Sequence, residues 1–288
     1  MLIVKIFGGL GNQMFQYAFY EFLKKNNDNV YIDISDFEIH KHHTGYELKR
    51  VFQVDANVAN KEMIRKIAIN SNSICTRFIR KLCGIDIRKI GECKAHYHFI
   101  NIRSQKIYQD IYFDGYWQNV DYLEPVREEL EQVFQYRNIL TGKNKKLQNF
   151  IKENECVALH VRRGDYLNNN SLSSVCGIEY YRKAIGYIIN KIDRKITFVV
   201  FSDDIKWARE NLPLPEDSIY VDWNTGEDSY MDMQLMDMCK HSIIANSTFS
   251  WWPAWLKSSR NDCIIIMPEK WFANEGSERL NIKGSIRL

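Results

Sequence analysis

The chain has no Asp-x-Asp frame, no Cys-x-x-Cys pair, no low-complexity tract and no tandem repeat. The first absence removes the common carboxylate arrangement that holds a divalent cation against a pyrophosphate, so no metal site is expected. The cysteines, Cys75, Cys83, Cys93, Cys156, Cys176, Cys239 and Cys263, are odd in number and lack metal-ligand spacing. They read as reduced, buried thiols of a cytoplasmic protein. The start of the chain has neither a basic segment nor a long apolar stretch, so secretion and membrane spanning are not expected. A net charge of +3 is too small to argue for nucleic acid as a partner.

What is present is an α/β pattern. With 288 residues and 45% apolar composition the chain can bury a large core, as one big domain or two smaller ones. Residues 2–7 are a continuous β-rich run, as in a strand buried on both faces. Gly8, Gly9 and Gly11 form a turn, residues 12–25 carry apolar side chains at helical spacing, and residues 29–34 give the next strand. The pattern recurs after residue 155: strands over 156–161, 196–201, 242–245 and 264–267 alternate with helices over 179–191, over 229–239 and from about Ser247 onward. Two α/β domains are expected, residues 1–150 and 151–288, with parallel sheets. The stretch from Lys61 to Lys94 stands apart, with nine Lys or Arg against three acids. It reads as a solvated helical face, with peripheral contact to the inner face of the cell membrane as the alternative.

Four motifs carry chemistry. Gly-Gly-Leu-Gly-Asn-Gln, residues 8–13, follows the first strand, and Asp33 closes the second. Such a turn lets backbone approach a pyrophosphate at a helix start, which raises NAD-dependent oxidoreduction as an alternative function. Met14 occupies the place of the third small residue in that fingerprint and weakens it. His-Val-Arg-Arg-Gly-Asp-Tyr, residues 160–166, places two arginines just past a strand end, where open α/β sheets bind ligands, and the arginine fork suits phosphate. Only one of two adjacent arginines is expected to face a ligand. Phe-Ser-Asp-Asp, residues 201–204, ends the next strand; its carboxylates suit a guanine edge or a sugar hydroxyl, and Asp204 equally suits a helix N-cap. Asn-Ser-Thr-Phe-Ser-Trp-Trp, residues 246–252, opens a helix with Asn246, Ser247 and Thr248, a candidate anion site. Trp251, Trp252 and Trp255 lie at helical spacing and read as core.

In this order and spacing the four motifs resemble the signature set of the bacterial α-1,2-fucosyltransferases, glycosyltransferase family 11, over nearly the whole chain. The resemblance implies a GT-B architecture of two Rossmann-like domains facing across a cleft. It also implies GDP-fucose as donor, inversion at the anomeric carbon and transfer to the 2-hydroxyl of a terminal galactose in a glycan, without cofactor. The C-terminal domain is then the donor side and the N-terminal domain the acceptor side. Carried over by position, Arg162 contacts the β-phosphate, His160 and Asp203 or Asp204 approach the guanosine, Ser247 and Thr248 hold phosphate, and the turn from Gly9 through Gly11 to Asn12 lies near the reacting centre.

Three further residues, Tyr116, Trp117 and Gln118, are candidate acceptor contacts, because a ring can stack on a sugar face, with strand packing as the alternative. Asp165 and Asp33 are the carboxylates to consider as catalytic base, beside Arg162 as the group that neutralises the leaving GDP. A non-catalytic nucleotide- or carbohydrate-binding module is the remaining alternative to an enzyme.

Overall fold

A computed structural model describes residues 1–39, 44–67, 88–91, 107, 110–164, 166, 170–260, 262–273 and 275–288. The chain divides into two compact units, Met1–Arg137 and Asn138–Leu288.

In the first unit β1 (Leu2–Lys5), β2 (Val30–Asp33), β3 (Arg88–Gly91) and β4 (Ile111–Asp114) form one sheet in the order β2-β1-β4-β3, with every pairing parallel. Gly8 takes φ +79°, a left-handed conformation that glycine adopts without steric cost, and the chain enters the Leu10–Lys24 helix two residues later. That helix is buried on nearly every side, through Met14, Phe15, Ala18, Phe19 and Phe22 among others, so it is a core element rather than an amphipathic surface helix. Met14 is fully buried at the place where a dinucleotide fold keeps a small residue.

In the second unit β5 (Cys156–Val161), β6 (Thr197–Ser202), β7 (Ile219–Val221), β8 (His241–Ile243), β9 (Ile265–Met267) and β12 (Ile286–Arg287) pair in parallel, in the order β12-β9-β8-β5-β6-β7. Two short strands, β10 (Lys270–Phe272) and β11 (Glu275–Gly276), pair separately and antiparallel. The alternation of side chains along β5 and β6 builds two cores. Val157, Leu159, Val161, Phe198 and Val200 pack with Tyr181, Ala184 and Ile188 of the Ile178–Lys191 helix. Cys156, Ala158, Val199 and Phe201 pack on the other face with Leu235 and Met236 of the Tyr230–Met238 helix. Each such aliphatic side chain contributes roughly 1.5–3 kcal/mol by leaving water.

The unit boundary falls earlier than the 150/151 division expected from the polar stretch. The Gly142–Glu153 helix buries Leu147 and Ile151 in the second core, so its polar face misleads a reading by composition. The three tryptophans are core as expected: Trp251, Trp252 and Trp255 are fully buried.

Burial pushes the Cys156 thiol up to about 11 and those of Cys176 and Cys239 up to about 12, which suits inert thiols. Cys75, Cys83 and Cys93 lie outside the described residues, as does most of the stretch from Lys61 to Lys94. Within that stretch the Lys61–Ile67 helix packs Met63, Ile64 and Ile67 against Ile3 and Tyr112 and leaves Lys61, Arg65 and Lys66 exposed. Among the described residues no helix is long and apolar enough to cross a membrane.

Candidate functional site

Open parallel sheets bind ligands beyond the carboxyl ends of the strands, where the strand order reverses. In the second sheet the chain runs from β5 outward to β6 and β7 and returns with β8 on the other side of β5, so that point lies between β5 and β8. Three of the four motifs converge there: the arginine motif leaves β5, the Ser-Asp-Asp motif leaves neighbouring β6, and Asn246 and Ser247 leave β8.

The convergence is held by paired charges. Arg162 Nη1 lies 3.2 Å from Asp203 Oδ2, and Arg163 Nε lies 3.2 Å from Asp204 Oδ2. Asp203 Oδ1 also accepts the Arg163 backbone N–H at 2.9 Å. Asp204 Oδ1 accepts from the Trp207 N–H and so caps the Ile205–Asn211 helix, as its position allowed. The two arginines diverge as adjacent residues leaving a strand should: the Arg163 guanidinium stacks 4.1 Å from the Trp207 ring centroid, while that of Arg162 lies 5.6 Å from the Tyr166 ring centroid. Tyr166 in turn donates its hydroxyl to the Asn246 carbonyl at 3.0 Å, which ties the arginine loop to the segment opening the Thr248–Lys257 helix. Ser247 is the N-cap of that helix, accepting from the Phe249 N–H, and Thr248 is half-buried beside it. The remaining first-turn N–H groups and the helix dipole make this start an anion-binding end.

His160 departs from the expected nucleotide contact. Its side chain is buried at 5% exposure, and Nδ1 lies 2.8 Å from Ser250 Oγ, inside the Thr248–Lys257 helix. Burial first, and the Arg162 charge second, bring its pKa down to about 3, so the ring is neutral and fastens the helix start to β5. Asn246 is likewise engaged inside the unit, donating to the Trp271 carbonyl at 3.1 Å.

In the first unit the glycine turn is clamped by two fully buried glutamines, Gln13 of its own motif and Gln16 three residues on. Gln13 donates to the Gly8 and Gly45 carbonyls and accepts from the Glu47 N–H. Gln16 accepts from the Phe7 N–H at 2.9 Å and donates to the Gly115 carbonyl at 3.2 Å. Asn12 accepts from Gln118 at 3.0 Å.

Two of the candidate residues in this unit are enclosed by the fold. Trp117 is 2% exposed, stacked on Phe19 with centroids 4.3 Å apart, and so belongs to the core. Its backbone sits at φ 54°, an uncommon conformation for a bulky residue, and its neighbour Tyr116 stays half-buried against Phe7. Asp33 is 2% exposed, with Oδ1 accepting from the Ser35 N–H and Oδ2 accepting from the Tyr112 hydroxyl at 2.7 Å. A carboxylate so enclosed ties β2 to β4 and is not placed to take a proton from a bound sugar. Asp165, the other base candidate, lies outside the described residues.

Sequence reasoning missed Gly164, Tyr166, Trp207 and the two glutamines. A Cβ at Gly164 would stand 2.7 Å from Asp203 Oδ2, so any larger residue there must shift that carboxylate. A glycine directly after two arginines was the available signal, but its neighbour in space lies on another strand. Among the described residues no group of three or more His, Cys, Asp or Glu side chains is arranged to hold a metal ion.

The "O-antigen biosynthesis glycosyltransferase WbnK" of Escherichia coli is 32% identical to this chain, covering 98% of both chains. The "Alpha-1,2-colitosyltransferase" of Escherichia coli is 34% identical over 96% of this chain and 93% of its own length. Among solved structures, the NodZ alpha-1,6-fucosyltransferase soaked with GDP-fucose superposes with a TM-score of 0.51 at 13% identity, over 88% of this chain and 91% of that one. That likeness shows the fold, GT-B with Rossmann-like α/β units, as the motif resemblance implied. Residues 1–284 match the family described as "Glycosyl transferase family 11", and with relatives above 30% identity aligned along nearly its whole length the chain belongs to that family.

Proposed function

We propose that this chain is an inverting glycosyltransferase that moves L-fucose from GDP-fucose to the 2-hydroxyl of a terminal galactose in a surface glycan. The observation that carries the reading is the junction of Arg162 with the opening of the Thr248–Lys257 helix at the reversal point of the second sheet, joined through Tyr166 and Asn246. Breaking the fucosyl–phosphate bond places negative charge on the β-phosphate. A preorganised guanidinium and helix N–H groups answer that charge without a metal. The guanidinium has five N–H donors, so Arg162 can keep Asp203 on one and offer others to phosphate oxygens.

In this reading the second unit is the donor side and the first the acceptor side. Ser247, Thr248 and Arg162 take the diphosphate, Asp203 and Asp204 hold the arginines rather than the guanine, and His160 positions the helix start. The turn Gly9, Gly11 and Asn12, with Gln118 behind it, supports the acceptor side, and Tyr116 is the retained acceptor contact. Asp165 is the retained candidate for the base. Exposed Lys61, Arg65 and Lys66 suit a peripheral position at the cytoplasmic membrane face.

GDP release from GDP-fucose, measured with lactose and with no acceptor, tests the reading. Lactose-dependent release with formation of an α-1,2-linked product is expected; no release under either condition sinks it. One relative is named for colitose, which is L-fucose lacking the 3-hydroxyl, so GDP-colitose belongs in the same assay as the second donor reading.

A further inference from the structure

The first sheet has its own reversal point, and beyond Tyr116 the residues that would hold an acceptor there have not been named. From β1 the chain passes to β2 on one side, while β4 lies on the other, so the crevice falls beyond the ends of β1 and β4. Lys5, Phe7, Asp114 and Tyr116 stand there. The Phe7 and Tyr116 rings, both half-buried, lie with centroids 4.9 Å apart. Lys5 Nζ lies 5.0 Å from the Phe7 centroid, 3.1 Å from Asp36 Oδ1 and 4.0 Å from Asp114 Oδ1, each of the three about a quarter exposed. Gln16, fully buried, bonds the Phe7 N–H and the Gly115 carbonyl and so fixes the separation of the two strand ends.

This edge differs chemically from that of the second unit. Two carboxylates against one ammonium repel phosphate, and Lys5 already occupies the place a cation would take between them. Half-buried rings beside carboxylates suit a neutral polyhydroxyl ring: its C–H face lies on an aromatic surface, and its hydroxyls donate to carboxylate oxygens in charge-assisted bonds. Galactose has such a face, because its axial 4-hydroxyl leaves the C–H bonds of carbons 3, 4 and 5 together on the opposite side.

We propose that the crevice beyond β1 and β4 is the subsite for the acceptor's terminal galactose, with Phe7 and Tyr116 as its apolar floor and Asp114 and Asp36, held by Lys5, as hydroxyl acceptors. The proposal rests on the galactoside reading and adds the residues that would carry it. Gln16, invisible to the ligand, is a positioning residue that keeps the floor assembled.

The test uses the full chain saturated with GDP, with lactose as probe. Saturation-transfer NMR and titration measure lactose binding for the wild type, Tyr116→Ala and Asp114→Asn, and calorimetry measures GDP binding in the same preparations. Lactose affinity should fall about tenfold or more in each variant while GDP affinity stays within about twofold, which also reports an intact fold. Lactose binding equal to wild type in both variants overturns the subsite, as does absence of lactose binding to the wild type. Should Tyr116→Ala fail to fold, Asp114→Asn, an isosteric change, decides alone. A wild type that binds lactose through these residues but releases no GDP from GDP-fucose would sink the fucosyl-transfer reading and leave the sugar subsite standing.

Discussion

Arg162 Nη1 lies 3.2 Å from Asp203 Oδ2, a bond between the ends of two adjacent parallel strands that sets where the guanidinium sits. The pair is partly exposed, so it adds little to stability; its effect is positional. Arg162→Lys keeps the charge and loses the fork. Turnover should fall by about 10² to 10³, on the order of 3–4 kcal/mol of transition-state stabilisation, with the melting temperature close to wild type. Steady-state kinetics on GDP-fucose check this, and a Lys variant with near wild-type turnover would remove Arg162 from the role.

Gly164→Ala tests the same pair from the other side. A methyl group 2.7 Å from Asp203 Oδ2 must displace that carboxylate, and with it Arg162. The carboxylate end can move at little cost to stability, and the kinetic cost should appear in turnover of the donor rather than in acceptor KM. A variant with unchanged kcat would show that Asp203 does not position the arginine.

Asp33→Asn separates a structural acid from a base. The buried bond to Tyr112, whose own pKa is raised by burial and then by the Asp33 charge, should make the variant less stable by about 1–3 kcal/mol. Its kcat should remain within about tenfold of wild type. Loss of 10² to 10⁴ in rate at unchanged melting temperature is the signature of a true base and would restore Asp33 to that role.

His160 imposes a pH dependence with a definite sign. Folded, it stays neutral down to about pH 3; unfolded, it takes a proton near 6.5. Below pH 6.5 the unfolded state therefore binds more protons, and stability falls by about 1.4 kcal/mol per pH unit on acidification until the folded pKa is reached. Denaturant titrations of wild type and His160→Asn between pH 4 and pH 8 should give a difference that shrinks as pH falls. Parallel curves would show that His160 titrates normally in the folded protein.

Metal dependence is tested by chelation. On the proposed reading Arg162 and the Ser247 helix start supply the positive charge, so transfer activity should survive EDTA and gain nothing from added Mg²⁺ or Mn²⁺. Activity lost to EDTA and restored by either ion would recast Asp203 and Asp204 as ligands.

The sequence by itself determined the first two strands, the strands over 156–161, 196–201, 242–245 and 264–267 and the residues at their ends, because periods of 2 and 3.6 are local properties, but not β4, β7 or the Gly142–Glu153 helix. The β1 turn, the arginine motif after β5 and the helix opening at Ser247 were legible for that reason, and the tryptophans could be assigned to the core by spacing alone. Tertiary structure decided what those residues touch. Val157 of β5 pairs with His241 of β8, far away in sequence, and Tyr166 reaches Asn246 only because the sheet order puts those strands side by side. Burial was decided in the same way. His160, Trp117 and Asp33 look available at strand ends or in turns, but each is enclosed by partners from other elements. The polar Gly142–Glu153 helix joined the second unit because two apolar side chains found that core. Local spacing fixes the direction a side chain leaves the backbone. Only long-range strand order and packing fix whether water, a ligand or another residue meets it there.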